Sequence, residues 1–459
     1  MNCPHKNFIP PFPKPHKTKI SFLKRFFKSR NSWIHTLFEK SYRMKLGDVR
    51  LPSGWLFMPV ESSFVKQVMV DEWKEFPKHH KIEEVLKPLL GESIFTTNGE
   101  TWRKQRAMID PAFAHTRLEK AFPLMQQAVD DMMLRLQEHP ANSSWHVDLE
   151  MTHITADIIF RTILSTPLSA EDAEEIFTAF NQFQEATQRV MVLNTYKLPS
   201  FGAQRASKLA AARIRPILAN IIKKRYDDFQ AGIDVENKDI LSALMIARDE
   251  NTGAAFGYDE LVDHVCMLFL AGHETTASSL TWTLYLIASC PDIQNKMRSE
   301  IAEVTSGNPI SFEHIKKLKF TFDVFCESLR LYPPVGFFLR ESAKNTKLHR
   351  KDVPKGSSVM VAPWLIHRNQ DQWKNAQEFC PHRFADKSSE DSIKNSYLPF
   401  GAGPRICVGK GFANQEAVLI LASLVQAFSF EVVASHKVEP VGRVTIRPKN
   451  GVLLKLSAI

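Results

Sequence analysis

Phe400-Gly401-Ala402-Gly403-Pro404-Arg405-Ile406-Cys407-Val408-Gly409 sets one cysteine in a glycine-rich loop directly before an apolar helical run. Glycine carries no Cβ, so backbone there can approach a flat ligand closely. The start of the following helix turns free N–H groups and its positive dipole end toward the sulfur, which favours Cys407 as thiolate. Arg405, two residues earlier, can pair with a carboxylate. The arrangement suits a thiolate ligand for the iron of a haem, with Arg405 on a propionate. For a lone cysteine the plainer reading is a buried thiol in a turn. Here the glycines, arginine and cysteine fall into place together.

The loop resembles the haem-binding signature of the cytochrome P450 family, in which a cysteine thiolate holds the iron. The resemblance runs from about residue 31 to the C-terminus and implies one large domain. Residues 1–30 would form a basic, Pro-rich leader and residues 31–459 a single haem-thiolate monooxygenase domain with haem b (iron protoporphyrin IX) as cofactor. By the same resemblance Gly409, Phe400 and Arg405 belong to the haem site with Cys407. Trp102-Arg103-Lys104-Gln105-Arg106 is similar to the family's Trp-x-x-x-Arg segment, which puts Trp102 and Arg106 on one helical face. Arg340, ten residues after Arg330, would also reach a propionate.

Ala271-Gly272-His273-Glu274-Thr275-Thr276 interrupts an otherwise apolar helix with an acid and two hydroxyls. Burying Glu274 without a purpose is costly, Gly272 leaves room for a close approach, and a threonine hydroxyl can turn from helix bonding toward a ligand. The alternative is a threonine bonded to the preceding turn and an ion-paired Glu274. The motif resembles the family's oxygen-activating helix, which implies that Thr275 holds a distal water and Glu274 supplies protons. His273 reads as a packed histidine.

Glu327-Ser328-Leu329-Arg330 places an acid and a base on one helical face. With Phe379-Cys380-Pro381-His382-Arg383-Phe384 it resembles the family's Glu-x-x-Arg helix and the segment that locks onto it. A structural network of Glu327, Arg330 and Arg383 would follow, with Cys380 and His382 doing no chemistry. The resemblance places Ile94, Phe95, Phe269, Ala271, Val335 and Phe337 around a hydrophobic substrate.

Apolar periodicity marks helices over about 117–138, 150–164, 170–190, 203–229, 258–289, 291–304, 320–331 and 411–428. Residues 31–43 also look helical, and residues 44–60 read as a hairpin around Pro52-Ser53-Gly54. Strands return near 357–362 and 429–456, while 385–398 reads as a polar loop. The result is a mainly α chain with small β-sheets, an α+β class rather than βαβ alternation. In the P450 fold the haem lies between the central helix and the cysteine loop.

The chain has 459 residues, 44% hydrophobic, with 59 Lys and Arg against 50 Asp and Glu, a net charge of +9. Six cysteines without paired spacing argue against a disulfide framework and for a reducing compartment, the cytoplasm. Residues 1–38 hold eight Lys and Arg and no acid. Ile20, Phe22, Leu23, Phe26 and Phe27 fall at helical spacing beside Lys24, Arg25 and Lys28, a pattern for a membrane-surface helix or for an arm packed on the domain. No run reaches the length of a spanning helix. No nucleic-acid motif accompanies the positive charge.

The reaction implied is insertion of one oxygen atom from O2 into a hydrophobic small molecule such as a fatty acid, terpenoid or aromatic. Electrons would come from an acidic ferredoxin or flavodoxin meeting Lys104, Arg117, Lys120 and Lys410, and the chain would act as a monomer. The rival enzyme class is a peroxide-using or isomerase-type haem-thiolate catalyst needing no reductase. A haem sensor or carrier is the non-enzymatic reading.

Overall fold

The computed structural model describes residues 8–18, 20–140, 143–166, 170–233 and 239–459; the side chains of Phe22 and of 170–174 lie outside that description. At its centre runs the helix Tyr258–Ala288, buried along most of its length. A helix apolar all round can only live inside a protein. Several of its hydroxyl residues return a bond to the preceding turn, Ser279 to Thr275 O, Thr281 to Ala277 O and Thr283 to Ser279 O, each at 2.7 Å, while Ser278 donates to Ile446 O at 2.7 Å.

Against this central helix packs Val147–Leu164, whose Thr155 hydroxyl reaches across to His273 O at 3.0 Å. The helices Ala170–Thr195 and Phe201–Gln230 pack along each other. On another side lies the cysteine helix Lys410–Ala427, which contacts His115–Gln137, Pro291–Thr305 and Lys319–Leu331.

The sheets are small and peripheral. Leu46–Leu51 and Gly54–Pro59 form the expected hairpin, with Gly54 at φ +125° in the turn. Ser358–Val361 adds in parallel to the second strand, and Phe338–Glu341 closes this four-stranded sheet. A three-stranded sheet orders Ser144–His146, Leu453–Ala458 and Phe428–Val432. The short pair Pro440–Gly442 and Ile446–Pro448 touches the central helix.

Three expectations need correction. Residues 31–43 form two 3-10 turns, Trp33–Thr36 and Glu39–Tyr42, rather than a helix. The stretch 385–398 contains the helix Glu390–Ser396, and just ahead of it Asp386 accepts from Ser388 N at 2.7 Å. With Ile393 its only apolar residue, this helix leaves no hydrophobic period to read. Cys380 is disulfide-bonded, so the cysteines are not uniformly reduced as their scatter suggests; Cys3 lies outside the described residues.

The N-terminal segment is joined to the body from residue 8 onward. Phe379 N donates to Phe8 O at 3.1 Å, Tyr332 Oη donates to Pro11 O at 2.6 Å, and the Arg368 guanidinium lies 5.5 Å from the Phe12 ring. The helix Phe22–Asn31 follows, with Phe26 edge-on to Tyr196 at 4.9 Å. Among the described residues no helix is long and apolar enough to cross a membrane.

Candidate active site

The cysteine loop is closed by its own backbone. Cys407 N donates to Phe400 O at 2.9 Å, and Gly401 and Gly403 take φ +76° and +67°. A Cβ on Gly403 would stand 2.1 Å from Met69 O, so only glycine fits there. Of the four free cysteines described, Cys407 alone is accessible, while Cys266, Cys290 and Cys326 are buried. The Cys407 residue is accessible, yet desolvation by the surrounding protein pushes its thiol up, with the Gly409 N–H, Arg106 and Lys410 opposing it. A bound metal ion removes such a proton outright.

Beside the loop stands a group of cations. Trp102 is buried with its ring edge-on to Trp73 at 5.5 Å, and the Arg405 guanidinium lies 5.0 and 5.3 Å from those two rings. Arg405 donates to Phe76 O at 2.9 Å and Trp73 O at 3.2 Å, but its buried Nε has no partner. Arg340 is buried, donates to Leu339 O at 3.2 Å, and is pushed down to about 9 by burial and then by Arg405. Lys78, which the sequence did not mark, is pushed well down by burial, then by Arg405 and Arg340. Among the described residues no carboxylate pairs with Lys78, Arg340 or Arg405 within salt-bridge distance.

Buried cations without counter-charge call for an anion. The two propionates of a haem supply one, and the glycine loop and accessible Cys407 supply the face for its ring, so the residues present fit this group. Arg106 is tied to the loop itself. Its Nε meets Asp110 Oδ1 at 2.5 Å and its Nη1 donates to Ile406 O at 2.7 Å, which braces the residue before Cys407.

On the central helix, Glu274 Oε1 accepts from Thr445 Oγ1 at 2.6 Å, and Arg447 donates to Gln184 Oε1 at 2.6 Å beside it. Burial pushes the Glu274 carboxyl up, while Arg447, Thr445 and Gln184 pull it down. Thr275 Oγ1 donates to Ala271 O at 2.7 Å, so its proton is committed to the helix and its lone pairs remain to accept. His273 is packed as expected: Nδ1 lies 2.8 Å from Phe269 O, and burial holds the imidazole down at about 4, neutral. Gly272 makes room for Ile159, whose Cδ1 would be 2.5 Å from an added Cβ, so its role is helix packing.

Glu327 binds Arg330 through two bonds, to Nε at 2.7 Å and Nη2 at 2.8 Å, and binds Arg383 Nε at 3.0 Å and Cys380 N at 2.8 Å. Burial would raise this carboxyl, but Arg330 and Arg383 hold it below the ordinary range. Arg330 also donates to His367 O and Ala376 O, each at 2.7 Å, tying this helix to the segment ahead of the cysteine loop.

The substrate-lining residues are less uniform. Ile94, Ala271, Val335 and Phe337 are half-buried, and Phe95 is exposed. Phe269 does not face open space: it is 2% exposed, stacked on His273 at 4.6 Å and edge-on to Phe160 at 5.5 Å. Aromatic neighbours from adjoining helices fill the space around it. Sequence reading missed Lys78, Gln184, Thr445 and Arg447, which come from distant segments. It also missed Glu416, a buried acid in an apolar helix that could have been noticed as such.

An accessible cysteine in a glycine loop, cations without a carboxylate partner, and a central helix carrying a half-buried acid and alcohol together suit a haem-thiolate oxidoreductase. The cytochrome P450 family profile matches residues 10–455, and the chain belongs to that family. Among its relatives, cyclooctatin synthase of Streptomyces melanosporofaciens is 30% identical over 398 residues, 86% of this chain and 85% of that protein. A cytokinin hydroxylase of Arabidopsis thaliana is 32% identical over 405 residues, 87% of this chain and 78% of its own length. Cytochrome P450 4V2 of Rattus norvegicus is 28% identical over 400 residues, covering 81% and 74%. The protein is a P450 monooxygenase that takes a haem iron, O2, a hydrophobic substrate and a redox partner.

Proposed function

We propose that this chain hydroxylates a hydrophobic small molecule as a monomer, holding haem b through Cys407 and taking electrons from an acidic ferredoxin or flavodoxin. When bound, the haem supplies the activation of dioxygen and the oxidation itself. The chain's own residues do the rest. Cys407 Sγ holds the iron, and Arg340, Arg405 and Lys78 hold the propionates. Trp102 lies against the Arg405 guanidinium and Arg106 braces the loop from behind. Glu274 carries a proton to higher pH than an ordinary carboxyl because it is buried, and Thr445 fixes one of its oxygens. The other oxygen is left to pass the proton on, with the Thr275 hydroxyl oxygen as the neighbouring acceptor. Ala271, Val335 and Phe337 keep water away from an apolar substrate.

The observation that carries this reading is the accessible Cys407 together with a buried Arg340 and half-buried Lys78 and Arg405, none of which has a carboxylate partner among the described residues. Two variants test it. Cys407→Ser removes the thiolate-type absorbance of the reduced carbon monoxide complex, whereas Glu274→Gln keeps that absorbance and lowers product formed per reductant consumed. Retention of the absorbance in the first variant, or full coupling in the second, contradicts these assignments.

A further inference from the structure

A cavity of about 410 Å³ opens between the N-terminal helix Phe22–Asn31, the helix Ala170–Thr195 and the turn after Pro440–Gly442. That volume lies in the range of small-molecule sites. Three guanidiniums line it, Arg30, Arg189 and Arg443, together with Phe26, Val192 and Leu193, against the single carboxylate Glu185. Among the described residues none of the three arginines is ion-paired with a carboxylate. Arg30 and Arg189 are exposed, so by themselves they would be ordinary solvated charges. Arg443 is different. It is half-buried, and its charge is disfavoured by burial and then by Arg447, with Glu185 offsetting part of this and Arg189 adding to it.

The cavity is tied to the catalytic acid by its own walls. Arg443 is two residues from Thr445, whose hydroxyl bonds Glu274, and Gln184, on the helix that carries Arg189, accepts from Arg447. A molecule held at the arginines therefore lies on elements that also touch Glu274. Guanidiniums prefer planar carboxylates, which they grip through paired bonds. The apolar side chains beside them suit a hydrocarbon body rather than a small free ion.

We propose that this cavity is the head-group site of the substrate, and that the substrate is an amphiphilic carboxylate. Its head group sits among Arg30, Arg189 and Arg443, and its apolar body passes Phe26, Val192 and Leu193 toward the oxidising centre. This rests on the monooxygenase reading. It narrows the substrate from any hydrophobic molecule to an acid with a long apolar part, and it gives the N-terminal helix a share in recognition.

The test uses the full-length haem-loaded protein and the straight-chain acids from decanoic to octadecanoic, each compared with its own methyl ester. Binding is read from the absorbance change as the iron-bound water leaves. At least one acid binds about tenfold more tightly than its ester. In Arg189→Gln/Arg443→Gln that preference falls to about twofold or less, while the reduced carbon monoxide absorbance is unchanged. The single variant Arg189→Gln, altered at an exposed position, shows an intermediate preference and serves if the double variant is poorly folded. If no acid is preferred to its ester, or the preference survives in the variants, the head-group site is wrong. Loss of binding to anionic vesicles with acid preference intact assigns the arginines to lipid phosphates and likewise overturns it. Absence of the carbon monoxide signal from the wild-type protein marks failure of the haem-thiolate reading instead.

Discussion

Three glutamates of this fold, Glu327 and Glu416 buried and Glu274 half-buried, carry protons differently because their surroundings differ. Glu327 lies between two arginines and stays ionised. Glu274 has a hydroxyl and an amide beside it and is pushed up by burial. Glu416, on the cysteine helix, is fully buried and is pushed well up by burial, with only the Thr276 side chain opposing the shift. Its folded form therefore binds a proton more tightly than the unfolded chain, whose carboxyl titrates near the ordinary value of 4.5. Stability then falls as pH rises from that value to the higher folded one, and is level beyond it. Glu416→Gln removes this dependence. Thermal unfolding across pH should show the variant gaining on the wild type as pH rises above about 4.5, then holding a constant advantage; a difference that does not change with pH would show that Glu416 has a partner in the folded state. At this scale the sequence was legible where chemistry and spacing coincide in one short stretch, as at Cys407 and its glycines. It was silent about Lys78 and Thr445, whose roles depend on chain segments brought together only by the fold.

Among the elements, the long helices were readable because each has an apolar face toward a core. The central helix, expected over 258–289, runs Tyr258–Ala288, and the cysteine helix, expected over 411–428, runs Lys410–Ala427. Elements without such a face were not readable: the polar helix Glu390–Ser396, and the broken turns of 33–42. The helix His80–Leu90 was obscured by Pro88, which cannot return a bond to the preceding turn and stands two residues before the helix ends. What locks elements together around the cysteine loop is the helix Lys319–Leu331, through Glu327 and Arg330. Both side chains are fully buried, and Glu327 also holds Arg383 and the backbone of Cys380. Removing the acid strands two buried guanidiniums, a loss of about 3–5 kcal/mol. Glu327→Ala should therefore lower the unfolding temperature sharply and yield protein with little haem, measured by calorimetry and haem content. Normal values of both would mean that the arginine–carbonyl bonds alone suffice.

For the whole molecule, the +9 charge is concentrated rather than spread, and two groups of it stand on different elements. One comprises Lys410 at the start of the cysteine helix with Lys104, Arg117 and Lys120 of the segments expected near it: Lys410 and Lys120 are exposed, Lys104 and Arg117 half-buried. The other belongs to the N-terminal helix, where Leu23 and Phe27 stand 66% and 59% exposed beside Lys24, Arg25 and Lys28 while Phe26 turns inward onto Tyr196. Exposed apolar residues flanked by basic ones suit an anionic lipid surface, and we propose this contact for the N-terminal helix. Basic residues over the cysteine side suit an acidic electron donor. Both attractions are screened over about 10 Å at 0.1 M salt, so salt alone cannot separate them. Charge reversal can. Lys120→Glu should slow reduction by an acidic ferredoxin several-fold at low salt and leave sedimentation with anionic vesicles as it was. Lys24→Glu/Lys28→Glu should do the reverse. If Lys120→Glu leaves the reduction rate unchanged, the donor docks elsewhere, and if Lys24→Glu/Lys28→Glu sediments like the wild type, the N-terminal helix is only an arm packed on the domain. A deletion of residues 1–30 would be a poorer probe of the membrane contact, because it also removes Phe8, Pro11 and Phe12 from the body they pack against.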